Sequence, residues 1–248
     1  MCRLVLMNKQ GEKEINRRYG LSQYLKYLEE RYGGHGNGFI AVKNKKIVSY
    51  SKGINLDVRD IANQLKNTEY DWAIFHTRLA SVGSKNDRNC HPFIKGRNII
   101  AMNGTEDSVS FLSDAKDITD TEAILDIMSK YNLGLAALTN LNSIFVGFQN
   151  GEPFMVANNT RNIMLLYKKE NDAIIFASEF PKNLRKDIYE FKECYVWNND
   201  AINENIIKKY KPSKPVSISK WYDYYGFDEV YGQGYFKRSN EAGDKYAV

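Results

Sequence analysis

SIFVGFQNGEPFMVANNTRNIMLLYKKENDAIIFASE, residues 143–179, decides the fold class. Four short apolar runs, SIFVGFQNG, PFMVANN, IMLLYKK and AIIFASE, are separated by polar and turn-forming residues. Each has strand length, and none is long enough for an independent helix. The same texture recurs upstream. Residues 2–7 read as a buried strand, and GFIAVKNKKIVSYSKG as two strands around a polar turn at Asn44. YDWAIFHTRLA is an apolar strand running into polar residues, and RNIIAMNGT is a strand ending in a turn. Helices stand between the strands. In GLSQYLKYLEERYGG, Leu21, Tyr24, Leu25 and Leu28 recur at helical spacing, Ser22 can cap, and Gly33 and Gly34 stop the run. INLDVRDIANQL and TDTEAILDIMSKY read as two more helices. The fold class is therefore α+β, with strands dominant.

The chain has 248 residues, 43% of them hydrophobic, enough for one large domain or two small ones. No internal repeat of solenoid period occurs. From Pro181 the texture turns charged and aromatic, so the expected organisation is a domain over 2–180 and an extension over 181–248 packed on it, with a frayed tail. No apolar run reaches the roughly 18 residues needed to span a bilayer, and the start turns polar after seven residues. A soluble, cytoplasmic protein with no membrane partner is expected. Abundant Lys, Asn, Ile and Tyr point to a low-GC bacterium or a phage. Three cysteines (Cys2, Cys90, Cys194) are too few and scattered for a disulfide framework, and no CxxC pair marks a zinc site. Three dispersed histidines give no metal motif, so neither metal nor cofactor is expected. A net charge of +5, with no zinc-finger, RNP or Walker pattern, reads as a solvated surface rather than a nucleic-acid interface.

Polar residues gather directly after apolar strands in three places: IFHTRLASVG, NCHPF and IIAMNGTE. Strand ends and the turns beyond them commonly carry chemistry. Each has a structural alternative. His76 also reads as a satisfied core histidine, Arg78 as one half of a surface ion pair, and Asn103–Gly104 as a plain turn. Their order, behind a cysteine at position 2, is the more specific signal.

That order resembles the class II glutamine amidotransferase domain of the N-terminal nucleophile hydrolase superfamily. MCRL matches the family's Met-Cys start, GHGNGFIAV its Gly-rich segment before a strand, and HTRLASVG its HTRxA element. NCHPF matches N-x-HPF, IIAMNGTE the HNG turn, DTEAIL the DTE helix start, and the closing ASE the end of the late paired strands. The resemblance covers residues 2–180. It departs at Met102, where the family has histidine, and at Asn37, where many members have aspartate.

The resemblance implies a four-layer αββα sandwich of two antiparallel sheets between helices. It implies that Met1 is removed and that Cys2 then supplies both thiol nucleophile and α-amine base. An α-amine with pKa of about 7.7–8.0 suits that proton transfer. Asn103 and Gly104 would hold the oxyanion, Arg78 the α-carboxylate of glutamine and Asp120 its α-ammonium. Ser81 would lie near that carboxylate, with His76 and Thr77 shaping the strand end. The implied partners are L-glutamine and, as a separate chain, a synthase or modifying enzyme that accepts the ammonia. The aromatic and basic stretch from Ile206 to Tyr235 is either its docking surface or a cover for the sandwich. Cys90 and Cys194 are expected bystanders. Two alternatives stay open: an N-terminal cysteine amidase acting on another amide, and a non-catalytic binding module of the same fold.

Overall fold

The computed structural model describes residues 2–109, 118–158, 162–169, 172–191, 194–198 and 208–209. Strand β1 (Arg3–Asn8) is the apolar run at the head of the chain. Leu4, Val5, Leu6 and Met7 are all buried. A strand covered on both faces needs a continuous apolar run rather than an alternating one. It lies at the centre of a seven-stranded sheet. Outward on one side follow β4 (Trp72–Thr77), β2 (Asn37–Lys43) and β3 (Lys46–Gly53). On the other side are β10 (Ile174–Ala177), β9 (Met164–Lys168) and β11 (Ile188–Phe191). The second sheet runs β13 (Lys208–Lys209), β12 (Tyr195–Asn198), β8 (Glu152–Ala157), β7 (Ile144–Gln149), β6 (Asn98–Asn103), β5 (Phe93–Lys95). Every strand pair is antiparallel. The β7–β8 hairpin closes through Asn150 and Gly151 at φ 54° and 84°, the two positive angles of the turn that matches strand twist.

Alternate residues of the first sheet serve two cores. Leu4, Leu6, Ile40, Val42 and Ile74 pack with Ile99, Val146, Phe148 and Met155 between the sheets. Val5, Met7, Phe39, Ala41 and Phe75 pack with residues of α1 (Lys9–Arg18), α2 (Leu21–Tyr32) and α3 (Val58–Asn67). Helix α4 (Asp120–Lys130) covers β5 and β6 on the outer face of the second sheet. The order is helices, sheet, sheet, helix, the four-layer α+β sandwich that the resemblance implies.

Three details differ from the sequence reading. The polar stretch KQGEKEINRR is a helix, α1, although Ile15 is its one residue in the main core. Asn8 caps it, its side chain accepting the Gly11 N–H at 2.8 Å. Buried Glu14 accepts from Tyr167, Arg17 and Arg18, and these bonds outweigh burial and hold its carboxyl below the ordinary value. Ser22 does not cap α2, because the helix begins at Leu21 with Gly20 in the cap position at φ 86°. The sandwich also runs past residue 180, since β11 and β12 are strands of the two sheets. The stretch from Ile206 onward, except Lys208–Lys209, lies outside the described residues. Among the described residues no helix is long and apolar enough to cross a membrane.

Candidate active site

Cys2 stands at the head of β1. Because Arg3 is paired with Thr77 of β4, Cys2 is level with the segment that leaves β4. The Leu79 N–H donates to Cys2 Sγ at 3.3 Å, and the thiol reaches back to Leu79 O at 3.6 Å. The residue is 8% exposed. Burial pushes its thiol pKa up; the Leu79 bond and the Arg78 charge oppose this, and Asp120 adds to it. A thiol in that state can act as a nucleophile only with a base to take its proton.

Arg78 follows β4 and is gripped by the Gly-rich segment. His35 N–H donates to Arg78 O at 3.0 Å, and Arg78 N–H donates to Gly36 O at 2.8 Å. Glycine is needed here for close approach: a Cβ on Gly36 would strike the Cys90 sulfur, and one on Gly38 would strike the His91 carbonyl. The NCHP segment thus lies directly on the glycines. The Arg78 guanidinium is turned inward, the residue only 2% exposed. Nη1 donates to Ser84 O at 2.9 Å, and Nη2 to Val82 O at 2.7 Å and Gly83 O at 3.1 Å. These bonds engage three of its five N–H groups.

Strand β6 ends in Asn103, whose Nδ2 donates to Ser178 Oγ at 3.3 Å. The same hydroxyl accepts the Leu4 N–H at 3.1 Å, and Ser178 N–H donates to Leu4 O at 3.0 Å. The Asn103 side chain is thereby held against β1 two residues from Cys2. Its Oδ1 is buried and has no hydrogen-bond partner among the described residues. Gly104 has φ 152°, and a Cβ there would collide with the Ser143 side chain. Asn103 also lines an open cavity of about 420 Å³ with Arg3, Arg31, Tyr32, Ser178 and Glu179.

Asp120 opens α4, which is capped by Thr119 accepting the Glu122 N–H at 3.1 Å. Its Oδ1 accepts the Thr121 N–H and its Oδ2 the Glu106 N–H, both at 2.9 Å. Burial raises the Asp120 pKa, and the backbone bonds and Arg78 hold it back. Ser81, on the exposed loop after Arg78, meets Thr105 hydroxyl to hydroxyl at 3.0 Å. A continuous chain of contacts therefore joins Cys2, Leu79, the Arg78 loop, Ser81, the Asn103–Gly104 turn, Glu106 and Asp120.

His76 and Thr77 are not part of that surface. Both are fully buried in the interior behind it. His76 Nε2 hydrogen-bonds Met102 O at 3.1 Å, and its ring lies 4.0 Å from that of His91, which reaches Thr121 Oγ1 at 2.8 Å. Burial lowers the His76 pKa to about 3 and carries His91 well below its ordinary value. Both rings are neutral near pH 7, so His76 is a core histidine. Position 102 still serves the network, through its backbone carbonyl rather than a histidine ring.

Glu106 is the residue that sequence reasoning missed. It is 2% exposed, and its carboxyl is raised to about 7 by burial, with Asp120 and Asp107 adding to the rise and Ser143 and Asn142 opposing it. A glutamate just after an Asn-Gly turn reads as a solvated charge, and nothing local marks it as interior. The Leu79 contact was likewise illegible, being a backbone group. Among the described residues no cluster of three or more His, Cys, Asp or Glu side chains is placed to hold a metal ion.

No family model matches the chain. A curated relative is glutamine–fructose-6-phosphate aminotransferase (isomerizing) of Campylobacter jejuni, 24% identical, the match covering 84% of this chain and 40% of that protein. The chain thus spans less than half of that relative's length. Among solved structures, glutamine phosphoribosylpyrophosphate amidotransferase of B. subtilis, complexed with ADP and GMP, aligns over 86% of this chain and 49% of its own, with TM-score 0.60 and 16% identity. A class-II glutamine aminotransferase domain protein from Silicibacter pomeroyi aligns over 86% of this chain and all of its own, with TM-score 0.53 and 10% identity. The chain therefore shares the fold of these glutamine amidotransferase and class-II glutamine aminotransferase structures, the fold that the order of its motifs implies.

Proposed function

We propose that this chain is a glutaminase that frees ammonia from L-glutamine through Cys2, once Met1 has been removed. The observation that carries the reading is the Cys2 thiol, buried at the head of the central strand and fixed by the Leu79 N–H at 3.3 Å. The freed α-amine of Cys2 takes the thiol proton. The thiolate attacks the side-chain amide carbon, and the oxyanion is held by Asn103 Nδ2 and the Gly104 N–H. One such donor contributes about 3 kcal/mol to the barrier. The tetrahedral intermediate collapses, the amine's proton goes to the leaving nitrogen, and ammonia departs. Water, deprotonated by the same amine, then hydrolyses the thioester to release glutamate. The raised Cys2 pKa makes that base necessary. Asn103 Oδ1, buried and without a hydrogen-bond partner among the described residues, suits an N–H donor such as the freed amine.

Arg78 receives the α-carboxylate as a fixed buried cation with one N–H still available on Nε and one on Nη1, and Asp120 receives the α-ammonium. Ser81, bonded to Thr105, steadies the loop over the turn. We assign the ammonia acceptor to a separate synthase or modifying enzyme in the same cytoplasm. Ammonia that escapes into water at neutral pH is protonated and loses its nucleophilicity, so delivery must be direct.

The test is mass and labelling. Intact mass should lack one methionine, and an electrophilic glutamine analogue should modify Cys2. Full glutaminase activity in Cys2→Ala would refute the mechanism. Co-purification from the native host, with activity measured before and after adding the recovered chain, tests the partner. Fast turnover by an isolated chain that binds nothing would leave a plain glutaminase.

A further inference from the structure

We propose that the open cavity beside Asn103 is a second binding site, and that it takes a small molecule with an anionic head, phosphate or carboxylate, on an apolar body. The cavity measures about 420 Å³, within the roughly 300–1,000 Å³ of small-molecule sites. It is separate from the glutamine site proposed above: Cys2, Arg78, Ser81 and Asp120 are not among the described residues that line it. The proposal therefore stands whatever amide Cys2 attacks.

The wall combines charge with apolar surface. Arg3, Arg31 and Arg185 reach it from β1, from the end of α2 and from a short helical turn at Lys182–Asp187. Ile163, Leu165 and Ile188 supply apolar surface, and Ile163 is 49% exposed. Three guanidiniums at one cavity repel one another, and a single carboxylate gathers them. Glu179 Oε2 accepts from Arg3 Nε at 3.1 Å. Its Oε1 accepts the Tyr27 hydroxyl at 2.6 Å, and lies 3.3 Å from Arg31 Nη2 and 3.8 Å from Arg185 Nη2. The last distance is too long for a hydrogen bond. Arg185 is instead fixed through Nε, which donates to Phe180 O at 2.9 Å. Arg3 is more fully engaged, since Nη1 donates to Cys2 O and the guanidinium lies 4.0 Å over the Tyr32 ring. Arg31 and Arg185 thus keep N–H groups for a ligand, and their side chains are 55% and 52% exposed. Glu190 of β11 is the second acid of the wall, so the described lining carries three positive charges against two negative. An anionic head supplies the missing charge, and forked guanidiniums suit the paired oxygens of a phosphate or carboxylate. The apolar residues beside them favour a ligand whose body leaves water on binding.

Calorimetry on the full chain tests this with phenyl phosphate, benzoate, inorganic phosphate and benzyl alcohol. At least one of the two aryl anions should bind, and the tighter one identifies the head group. Inorganic phosphate, a head without a body, and benzyl alcohol, a body without a charge, should each bind at least about tenfold more weakly. Arg31→Gln combined with Arg185→Gln should weaken the aryl anion by about 10- to 150-fold. Arg185→Gln alone, which leaves the Tyr27 and Arg3 bonds of Glu179 in place, should already cost about tenfold, with cooperative thermal melting verifying the fold. Saturating glutamine should leave aryl-anion binding within a few fold. Failure of both aryl anions to bind, binding untouched by the substitutions, or equal binding of inorganic phosphate or benzyl alcohol overturns the proposal. Displacement of the aryl anion by glutamine assigns the cavity to the glutamine site and overturns it equally.

Discussion

Arg78→Ala separates substrate recognition from scaffold. The wild-type guanidinium is 2% exposed and holds the carbonyls of Val82, Gly83 and Ser84 at 2.7–3.1 Å. Truncation therefore does two things. It removes the cation assigned to glutamine's α-carboxylate, and it frees the loop. A hydrogen bond to a charged group contributes about 1.5–3 kcal/mol, or roughly 10- to 150-fold in kcat/KM. Loop release adds a loss common to every substrate, because Leu79 beside Arg78 positions the Cys2 sulfur. Gly83 and Ser84 are exposed, so their carbonyls rebond to water and the stability cost stays near about 1.5–3 kcal/mol.

The assay is kcat/KM for glutamine against 4-aminobutanamide, which is glutamine without its carboxylate. Both should fall in Arg78→Ala through the loop. Only glutamine should fall further, so the preference for glutamine should shrink by about 10- to 150-fold. Arg78→Lys, which keeps the charge but not the three bonds to the loop carbonyls, should lie between. An unchanged preference, with both substrates losing equally, would refute the assignment and favour an amidase of other specificity.

Three further outcomes are expected. Gly104→Ala should lower turnover by about 100-fold or more, since the new Cβ meets Ser143 at φ 152° and displaces an oxyanion donor; equal kcat in the variant would remove Gly104 from the mechanism. Glu106 titrates at about 7 when folded against 4.5 ordinarily, so the folded chain keeps a proton that the unfolded chain has lost. Its contribution to stability therefore falls as pH rises from about 4.5 to about 7, and Glu106→Gln should escape that loss, by at most about 3 kcal/mol at pH 8, in denaturant titrations. Replacing Cys90 and Cys194 together by serine should leave turnover within a few fold, because their thiols already donate to Asn86 O and Asn158 Oδ1, as a hydroxyl can; a hundredfold drop without unfolding would contradict this.

The strands were legible because apolar runs of strand length have few other readings. Which strands pair was not. β1 bonds to β10, some 170 residues away, and no local pattern encodes that register. Helix α1 hid because its stability comes from the Asn8 cap and from the ion pairs of Glu14 rather than from an apolar stripe. At the candidate site, the motifs single out Cys2, Arg78, Asn103, Gly104 and Asp120 by order. They did not separate surface from interior. His76 and Arg78 are alternate residues of one segment, yet the first points into the body to meet Met102 O and the second toward the loop. Glu106 is the opposite case, a charge whose burial depends on the packing of α4 and Ser143 around it.

The nucleophile proposed at Cys2, at the end of a chain, would meet a physical difficulty, because termini fray and catalysis tolerates little displacement. Here the difficulty is met by the strand that follows. β1 bonds to β4 on one side and β10 on the other, and all four residues from Leu4 to Met7 are buried. Leu4 is held twice more by Ser178, through its N–H and its carbonyl. Arg3 is clamped to Glu179 at 3.1 Å and donates to the Cys2 carbonyl at the same distance. Glu179 in turn accepts from Tyr27 at 2.6 Å and pairs with Arg31 at 3.3 Å on α2. Cys2 thus inherits the rigidity of the centre of the sandwich while its sulfur stays at the rim. The ASE triplet that ends β10 supplies both anchors, Ser178 for Leu4 and Asn103, and Glu179 for Arg3. Its place in the motif order is explained by what it holds: β1 and the residue before it on one side, and Asn103, the proposed oxyanion donor, on the other.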